Sequence, residues 1–399
     1  MTNGSYFIHS ILVRGLKLIL RFIPKEKGLI LFSAWFGQKY ADNTRYTFET
    51  MLLKNEHRVK WYTVNKGLYD DLRRKNIPAV YGRSLVGMWQ QVRAQMLVST
   101  IQFGDFNQYL LSNCIYLDLD HGFSLKQVGL AIPGTDENYI KFQLLLRRNV
   151  EYWMSASSHF CMEKICECYK IDPSHIVKCN KPRTDVLFDN CLREGKNSLI
   201  DKIKEGRKAI VWMPTHRSCG EVKMPVSKIF DLARVENLCR EHNFVFIIKK
   251  HFYHREEIEE LSQFPHIFDV TQEDVDAQVI LSQADALVSD YSSSYIEYLI
   301  LDRPIILYAY DKDEYVKNDR GLYIPLSENT AGEVVLNIDS LIKSYERIAG
   351  DWYDQTYAEG RHKARDLYFD ATVPTGKYRE QAQDVICKLI DRTYKPEWR

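Results

Sequence analysis

The sequence has no excess of charge of either sign, since 54 lysine and arginine residues face 53 aspartate and glutamate residues. A surface that binds nucleic acid usually carries a clear positive excess, so a net charge of +1 gives no support to a nucleic-acid partner. Low-complexity segments and short-period repeats are also absent. The 399 residues, 45% hydrophobic and 27% charged, are therefore expected to form two globular domains.

A long apolar run is lacking as well. Residues 6–26 are the candidate for membrane contact, but basic residues interrupt them and they fall short of the ~20 apolar residues of a spanning helix. As a helix, this segment places Arg14, Lys17 and Arg21 on one face and mostly apolar residues on the other, which is typical of a helix lying on an anionic membrane. A surface helix packed on its own domain is the alternative. No small-residue cleavage site follows, which disfavours a signal peptide.

The nine cysteines are an odd number, and without a cleavable export signal they indicate a reduced, cytoplasmic setting. Cys161, Cys166 and Cys168 lie close in sequence, but no second pair at zinc-site spacing accompanies them, so helix packing is favoured over metal binding. Asp118 and Asp120 form a D-x-D pattern within a strand, where a structural role is favoured for Asp118. The sequence thus names no metal site and no cofactor, and it leaves divalent-cation dependence open.

Apolar runs alternate with helical patterns along most of the chain, which is typical of parallel α/β units. The predicted strands are 29–34, 59–64, 96–100, 114–119, 152–156 and 176–179, then 209–213, 244–249, 267–270, 286–289 and 305–310. A helical tail is predicted at 332–399. The fold class is therefore α/β, with two Rossmann-like doubly wound domains facing a cleft, a layout that resembles the B-type (GT-B) glycosyltransferases.

The predicted domain boundaries follow from these patterns. A membrane-interface helix takes residues 1–27, and the first Rossmann-like domain takes 28–190. A charged linker at 191–207 leads to the second Rossmann-like domain at 208–375, and a C-terminal helix takes 376–399. In such domains ligands bind beyond the carboxyl ends of the strands, so polar motifs that directly follow a strand are the candidates for a site.

The first such motif follows the strand at 114–119 and contains His121 before Gly122, with Lys126 a few residues later. Histidine is the side chain that ordinarily titrates near neutral pH, so His121 is a candidate general base for a hydroxyl. Gly122 allows a close backbone approach to a ligand, and Lys126 is a candidate phosphate contact. A capping or core histidine is the alternative.

Two further strand ends carry arginine. Arg183 lies in Asn-Lys-Pro-Arg-Thr-Asp at 180–185, and Arg217 lies in Met-Pro-Thr-His-Arg at 213–217. Guanidinium groups form bidentate contacts with phosphate oxygens. The alternatives are an ion pair of Arg183 with Asp185 and a solvated Arg217.

A second histidine, His251, follows Lys249 and Lys250 at the end of the apolar strand at 244–249. A cationic histidine there would stabilise charge on a phosphate in transfer or protonate the leaving group. A solvated histidine in a basic turn is the alternative, and His254 is a nearby competitor for the role.

The most specific motif is Val-Ser-Asp-Tyr-Ser-Ser-Ser at 288–294, followed by a predicted helix and by Asp-Arg-Pro-Ile at 302–305. Hydroxyl and backbone N–H groups converge where the strand passes into the helix, which is typical of a pyrophosphate site. A helix cap made by Ser292 or Ser293 is the structural interpretation, and it is compatible with the first.

Taken together and in order, these motifs resemble the CDP-glycerol glycerophosphotransferase family of teichoic-acid and capsule synthesis. The resemblance runs from about residue 29 to residue 320 and includes residues 36–46 around Asn43. The chain departs from the family pattern in three places, which leaves the donor alditol open: Phe252 replaces a proline, Asn180 replaces a glycine, and Glu297-Tyr298 replace Phe-Asp.

The resemblance implies a B-type fold, with an acceptor-side first domain and a donor-binding second domain. It also implies a CDP-glycerol or CDP-ribitol donor, a lipid-linked glycan acceptor, and a peripheral enzyme on the anionic cytoplasmic face of the bacterial membrane. By this carry-over His121 is the base and His251 the second catalytic histidine. The residues assigned to donor binding are Arg183, Asp185, Thr215, Arg217, Ser289, Asp290, Ser292 and Ser293, and further phosphate or acceptor contacts are Lys126, Asn43 and Arg320.

The predicted function is transfer of glycerol phosphate, or a related alditol phosphate, from a CDP-linked donor to a hydroxyl of a cell-envelope glycan, with release of CMP. Two alternatives stay open at this point. One is a B-type glycosyltransferase that uses a nucleotide sugar and releases a nucleoside diphosphate; the other is a non-catalytic scaffold at the membrane. Single addition versus polymerisation and homo-oligomer formation are also left open.

Overall fold

The computed structural model describes residues 3–132, 134–189, 199–215, 225–250, 259–273, 275–318, 321–372 and 374–398. The chain divides into two compact units. Unit 1 comprises Met1–Gly122, Gly129–Asp185 and Lys377–Arg399, and unit 2 comprises Phe123–Val128 and Val186–Gly376. The predicted C-terminal helix therefore belongs to unit 1.

Each unit is built on one parallel sheet. The strands of unit 1 are β1 (Glu26–Phe32), β2 (Arg58–Thr63), β3 (Ala79–Tyr81), β4 (Ala94–Ser99), β5 (Ile115–Asp118), β6 (Glu151–Ala156) and β7 (Ile176–Lys178). Those of unit 2 are β8 (Lys208–Trp212), β9 (Phe244–Ile248), β10 (Ile267–Asp269), β11 (Ala286–Ser289), β12 (Ile305–Tyr308) and β13 (Glu333–Val335). Their spatial orders are β3-β2-β1-β4-β5-β6-β7 and β10-β9-β8-β11-β12-β13.

The described helices are α1 (Asn3–Leu20), α2 (Asp42–Lys54), α3 (Lys66–Arg74), α4 (Leu85–Arg93), α5 (Glu137–Arg147), α6 (His159–Tyr169), α7 (Leu199–Lys204), α8 (Val226–Ile229), α9 (Leu232–Glu241), α10 (Ala277–Gln283), α11 (Ser294–Tyr298), α12 (Lys312–Asn318), α13 (Ile338–Gly350), α14 (Gln355–Phe369) and α15 (Tyr378–Ile390). Side-chain caps start several of them. For example, Ser158 accepts a hydrogen bond from the backbone N–H of Cys161, and Asn337 accepts one from Ser340.

The central strands are buried on both faces, which explains their continuous apolar sequences. In β9, for example, all five residues from Phe244 to Ile248 are fully buried. Strands covered by helices on both faces read as apolar runs rather than as an alternation, and the crossover connections between parallel strands supply those helices. The prediction of two α/β domains with parallel sheets is confirmed.

Helix α15 returns from the end of the chain to unit 1. Ala382, Val385, Ile386 and Leu389 are buried in the hydrophobic core that also contains residues of β1, β4 and β5. The core of unit 1 is therefore completed by residues more than 180 positions beyond the rest of that unit.

Two elements differ from the sequence prediction. Strand β3 was not predicted, and β13 lies within the region predicted as a helical tail. Both strands have three residues and lie at the edge of their sheets, next to β2 and β12. Length alone does not explain this, because β7 and β10 are also three-residue edge strands and were predicted. Pro78 and Gly82 bound β3, and β13 starts with Glu333, and these residue types are not typical of a strand.

Helix α1 occupies the predicted N-terminal position, and the chain turns at Arg21–Ile23 before β1. Phe7, Ile8, Ile11 and Leu12 on this helix are exposed, whereas Val13 is buried. Among the described residues, no helix combines the length and the apolar character that crossing a membrane requires.

Candidate active site

The order of strands in unit 1 reverses between β1 and β4, and the loops that leave these two strands meet there. Asp105, which is buried, joins the loops. Its Oδ1 accepts a hydrogen bond from the Phe36 N–H at 2.7 Å, and its Oδ2 accepts one from the Thr100 N–H at 2.8 Å and one from the Ile101 N–H at 3.1 Å. Doubly wound sheets bind ligands at this kind of switch point.

The backbone at the strand ends of unit 1 is strained. Trp35, Phe36 and Gly37 follow one another with φ angles of 51°, 59° and 69°, and Asp42 and Asp120 have φ angles of 70° and 55°. Non-glycine residues in the left-handed region each cost on the order of 1–3 kcal/mol and are concentrated at functional sites. The strain supports the assignment of this edge as the place where unit 1 acts.

His121 lies at this edge, in the loop that follows β5, and its side chain is 48% exposed. Its Nδ1 is 3.1 Å from the carbonyl oxygen of Thr100, and its ring packs near the indole of Trp35, with 5.6 Å between the ring centres. A carbonyl oxygen can only accept a hydrogen bond, so Nδ1 carries the hydrogen in the neutral imidazole. The lone pair is therefore on Nε2, which leaves that nitrogen to act as a base.

Asp120 supports His121 from the other side. Its Oδ1 accepts the His121 backbone N–H at 2.8 Å and lies 3.5 Å from Nδ1, and its Oδ2 lies 3.3 Å from Nζ of Lys181. Burial alone would raise the pKa of Asp120, but the Lys181 ammonium, and with it His121, holds that pKa below its usual range. The ionised carboxylate would stabilise the positive charge that forms when His121 takes up a proton.

Asp118, the other residue of the D-x-D pattern, is buried inside the unit. Its Oδ2 accepts hydrogen bonds from the Gln102 N–H at 2.7 Å and the Tyr152 hydroxyl at 3.2 Å, and its Oδ1 accepts one from the Asp120 N–H at 2.8 Å. Burial, assisted by the charge of Asp120, raises the pKa of Asp118 to about 7. These contacts agree with a structural role. In the described parts of the chain, no group of three or more His, Cys, Asp or Glu side chains is arranged to hold a metal ion.

Asn43 and Arg183 lie in the same cluster. The Asn43 Nδ2 donates to the Asp120 carbonyl oxygen at 2.5 Å, and its Oδ1 accepts the Arg183 N–H at 3.1 Å. The Arg183 Nη1 donates to Oδ1 of Asp42 at 2.9 Å. Two predicted site residues are thereby connected to the His121 loop through hydrogen bonds.

Asp185 has a different environment. Its carboxylate accepts hydrogen bonds from the N–H groups of Tyr378 and Arg379, both at 2.9 Å, and from the Arg379 Nε at 3.2 Å. It thus caps the start of α15, and Arg183 pairs with Asp42 instead of with Asp185. Burial raises the pKa of Asp185, against the opposing effect of these donors.

In unit 2 the order of strands reverses between β8 and β11, and the predicted motifs at 213–215 and 289–290 meet there. The Thr215 N–H donates to Oδ1 of Asp290 at 2.8 Å, and the Ser289 hydroxyl donates to the Met213 carbonyl oxygen at 2.8 Å. Asp290 Oδ1 also accepts the Tyr291 N–H at 2.6 Å. The two motifs therefore form one connected site at the switch point of unit 2.

The serine-rich turn after β11 is closed by its own hydroxyls. The Ser292 Oγ accepts hydrogen bonds from the Ser294 hydroxyl at 2.9 Å and from the Ser294 N–H at 3.3 Å. The following helix, α11, has five residues, and Ser293 makes no side-chain cap bond at its start. In the structure, the helix predicted after this motif is the short helix α11 followed by a 3-10 turn at Leu299–Leu301.

Lys126 belongs to unit 2, although His121 and Gly122, a few positions earlier in the chain, belong to unit 1. We call Phe123–Val128 the strap. Lys126 forms an antiparallel bridge with Leu322, and its Nζ lies 3.4 Å from the Thr215 hydroxyl and 5.7 Å from the ring centre of Tyr315. The strap therefore brings a cation to the same edge of unit 2 as Thr215 and Asp290.

Three predicted site residues, His251, Arg217 and Arg320, lie outside the described residues, as does His254. Their roles stay predictions. Sequence reasoning did not select Asp42, Asp105, Asp120 or Lys181 as parts of the site. Asp42 and Asp120 directly precede the selected residues Asn43 and His121. Lys181 lies two positions before Arg183, so closeness to a motif was the available signal for all three. Asp105 lies next to no selected residue.

The model of the CDP-Glycerol:Poly(glycerophosphate) glycerophosphotransferase family matches residues 16–386. Because this match covers most of the chain, the protein belongs to that family. The predicted reaction class, an enzyme that transfers an alditol phosphate, is thereby confirmed.

Relatives of known name agree with this assignment. The chain is 26% identical over 384 residues to the teichoic acid glycerol-phosphate transferase of Staphylococcus aureus, a match that covers 92% of this chain and 93% of the relative. It is 30% identical over 338 residues to the ribitol-phosphate polymerase TarL of the same species, covering 82% of this chain and 58% of that one. The fold is similar to that of the wall teichoic acid polymerase TagF, with a TM-score of 0.73, 22% identity, and 98% and 99% of the two chains covered.

Proposed function

We propose that the protein transfers glycerol phosphate from CDP-glycerol to a hydroxyl of a lipid-linked cell-envelope glycan and releases CMP. A glycerol-phosphate transferase is the relative whose match covers nearly the whole of both chains. A similar fold is found in a structure of TagF soaked with CDPG. CDP-ribitol is the competing donor, since the chain also matches a ribitol-phosphate polymerase.

The observation that carries the mechanism is the contact between His121 and the Thr100 carbonyl oxygen. This contact keeps the hydrogen on Nδ1 and the lone pair on Nε2, which is the tautomer that a general base requires. Asp120, 3.5 Å from Nδ1, stabilises the imidazolium after proton transfer. The general base is therefore assigned to unit 1.

The reaction is an in-line displacement at the phosphorus that bears the glycerol. The acceptor hydroxyl oxygen forms a new bond to this phosphorus, and its proton passes to Nε2 of His121. The bond between this phosphorus and the bridging oxygen breaks, and CMP leaves with the electron pair. Positioning and charge stabilisation supply most of the catalysis in phosphoryl-type transfer, and we assign these tasks to the cationic residues and hydroxyls of the site.

We assign the donor diphosphate to the switch point of unit 2. The hydrogen bond from the Thr215 N–H to the Asp290 carboxylate shapes this edge, and the Ser292 hydroxyl and the Lys126 ammonium provide polar groups for phosphate oxygens. His251, Arg217 and Arg320 are predicted to add further charge there. We also propose that the fold is of the B type, with unit 2 as the donor-binding domain.

We place the enzyme at the cytoplasmic face of the bacterial membrane as a peripheral protein. Helix α1 supports this location because it exposes apolar side chains such as Phe7, Ile8 and Ile19 and contains no acidic residue. An amphipathic helix with basic residues binds to anionic lipid surfaces through both features. The lipid-linked acceptor would then be presented at the same surface.

The test is an assay of purified protein with CDP-glycerol or CDP-ribitol, each with and without a synthetic lipid-linked disaccharide. We expect CMP release that depends on the acceptor and is faster with CDP-glycerol, and the product mass gives the number of units added. A preference for CDP-ribitol would correct the donor. Release of a nucleoside diphosphate from a nucleotide sugar, with no CMP from either CDP-alditol, would overturn the proposal.

A further inference from the structure

Helix α4 exposes three large apolar side chains on a helix of nine residues. Leu85 is 85% exposed, Val86 is 65% exposed and Trp89 is 53% exposed. Residues four apart lie on the same face of a helix, so Leu85 and Trp89 are neighbours there. Single exposed apolar residues are normal on a protein surface, but a group of this size on one short helix indicates an interaction surface.

The orientation of α4 is fixed by its other face. Ser84 caps the helix by accepting the Gly87 N–H at 3.0 Å, and a Cβ atom on Gly87 would lie 1.9 Å from the Tyr81 carbonyl oxygen. Gln91, which is buried, donates through Nε2 to the Asn107 carbonyl oxygen at 2.8 Å. The helix therefore packs inward through Gly87 and Gln91 and holds Leu85 and Trp89 outward.

Helix α4 and helix α1 share one support. Both pack against the short 3-10 helix Gln108–Leu110. The Tyr109 hydroxyl of this support is hydrogen-bonded to Nδ1 of His9 in α1, and Nζ of Lys25, just after α1, donates to the carbonyl oxygen of Val92 in α4 at 2.5 Å. The exposed apolar residues of the two helices thus belong to one connected part of unit 1.

The sequence around these helices lacks negative charge. Residues 1–25 and 76–104 contain no aspartate or glutamate, although the whole chain contains 53. The same stretches contain six basic residues, which are Arg14, Lys17, Arg21, Lys25, Arg83 and Arg93. A second copy of the same surface would repel this one, whereas a sheet of anionic headgroups complements it.

We propose that α4 is a second membrane-contact element, which inserts Leu85, Val86 and Trp89 into the headgroup boundary of an anionic bilayer beside α1. Tryptophan prefers this boundary, and Arg93, 5.8 Å from the ring centre of Trp89, can extend its guanidinium to the headgroups. Two elements on one support restrict rotation of unit 1 about α1. The proposal rests on the membrane location given under the proposed function.

The test replaces the three apolar residues by serine in one variant, L85S/V86S/W89S. Leu53→Ser is the matched control, since Leu53 is 87% exposed on α2. Flotation with phosphatidylglycerol vesicles should show binding at least about tenfold weaker for the triple variant and unchanged for the control. Phosphatidylcholine vesicles should bind both proteins weakly, and circular dichroism verifies the fold.

Vesicle binding of the triple variant at the wild-type level would overturn the proposal. So would a loss of self-association in sedimentation without a loss of vesicle binding, because a second copy would then be the occupant. Activity toward a water-soluble acceptor analogue should be unchanged, which separates this proposal from the proposed reaction. If wild-type protein lacked transferase activity but the triple variant still lost vesicle binding, the reaction would be wrong and the role of α4 would stand.

Discussion

The strand edge of unit 1 and that of unit 2 are built from different chemistry. In unit 1, buried or half-buried charges surround His121, among them Asp42, Asp120, Lys181 and Arg183. In the described part of the unit 2 edge, hydroxyl groups and backbone N–H groups surround Asp290, and the Lys126 ammonium lies beside the Thr215 hydroxyl. The two edges occupy equivalent switch points of similar sheets, so the sheet does not dictate the chemistry; the loops that follow the strands do.

From this difference we infer a separate task in the reaction for each unit. A network of ionised groups can hold and shift a proton, because each charge alters the pKa of its neighbours. Hydroxyls and N–H groups bind an anion without adding a net charge of their own. We therefore expect substitutions at the unit 1 edge to change the rate and its pH dependence, and substitutions at the unit 2 edge to change donor affinity.

The largest expected effect is that of His121→Ala. Loss of the general base should lower kcat about a thousandfold and leave donor binding nearly unchanged. CMP release measures the first quantity, and calorimetric titration with the CDP-alditol measures the second. His175→Ala, which removes an exposed histidine of unit 1, should retain full activity. If the His121→Ala enzyme kept a rate close to that of the wild type, the assignment of the general base to unit 1 would be wrong.

The next largest effect is expected from Asp118→Asn, which changes how the free energy of unfolding depends on pH. Its folded-state pKa of about 7 lies above the ordinary value of 3.8, so folding favours the protonated form. The stabilisation is fully present below about pH 4 and is lost as pH rises toward 7, in total about 4 kcal/mol. Urea unfolding of Asp118→Asn at several pH values should show a smaller decline over that window.

Leu72→Ala is the control for this measurement, since it removes a buried apolar side chain of unit 1 and no ionisable group. Its decline in unfolding free energy between pH 4 and pH 7 should equal that of the wild type. An unchanged decline in Asp118→Asn would mean that the charges of unit 1 are not coupled to folding in the way described.

A smaller effect is expected from Asp290→Ala in unit 2. The change removes the acceptor of the Thr215 and Tyr291 N–H groups, so the two loops of the donor site lose their connection. The KM for the CDP-alditol should rise about tenfold, with a smaller change in kcat. Asp313→Ala, at an exposed position of α12, should have no effect in steady-state kinetics. A large fall in kcat at constant KM would contradict the expectation that the unit 2 edge acts mainly on donor affinity.

The smallest effect is expected from Lys126→Met, which keeps the aliphatic stem beside Tyr315 and removes the charge. The KM for the donor should rise about threefold at low salt, and the difference from the wild type should shrink at high salt because ions screen the lost attraction. Lys343→Met on α13 is the matched control. A salt-independent effect would show that Lys126 acts through packing alone.

The sequence predicted the parts of the fold that depend on local pattern. Strands with a continuous apolar sequence, such as β9, were predicted because burial on both faces leaves an unbroken apolar run. Strands β3 and β13 were missed although the equally short edge strands β7 and β10 were predicted. Pro78 and Gly82 on either side of β3 are typical of a turn, and β13 starts with Glu333 inside a region with a helical pattern. The return of α15 to unit 1 was missed because it depends on contacts between residues far apart in the chain.

The same distinction applies to the site. His121, Asn43 and Arg183 were selected from motifs, and the structure brings them into one network. Lys181 was not selected, because lysine is ordinarily a surface residue, yet its side chain is only 2% exposed beside Asp120. Asp105 was missed because its partner Phe36, 69 positions away in the chain, becomes its neighbour only when β1 and β4 pair.

The division of the chain into units also has a genetic consequence. Neither unit is encoded by a continuous stretch, since the chain passes between them after Gly122, Val128, Asp185 and Gly376. A gene fragment that ended at Asp185 would lack α15 and part of its core, and a fragment covering only 186–376 would lack the strap that pairs with Gly321 and Tyr323. If unit 2 binds the donor, as we propose, an exchange of donor specificity between members of this family requires the strap and the 186–376 segment to be transplanted together.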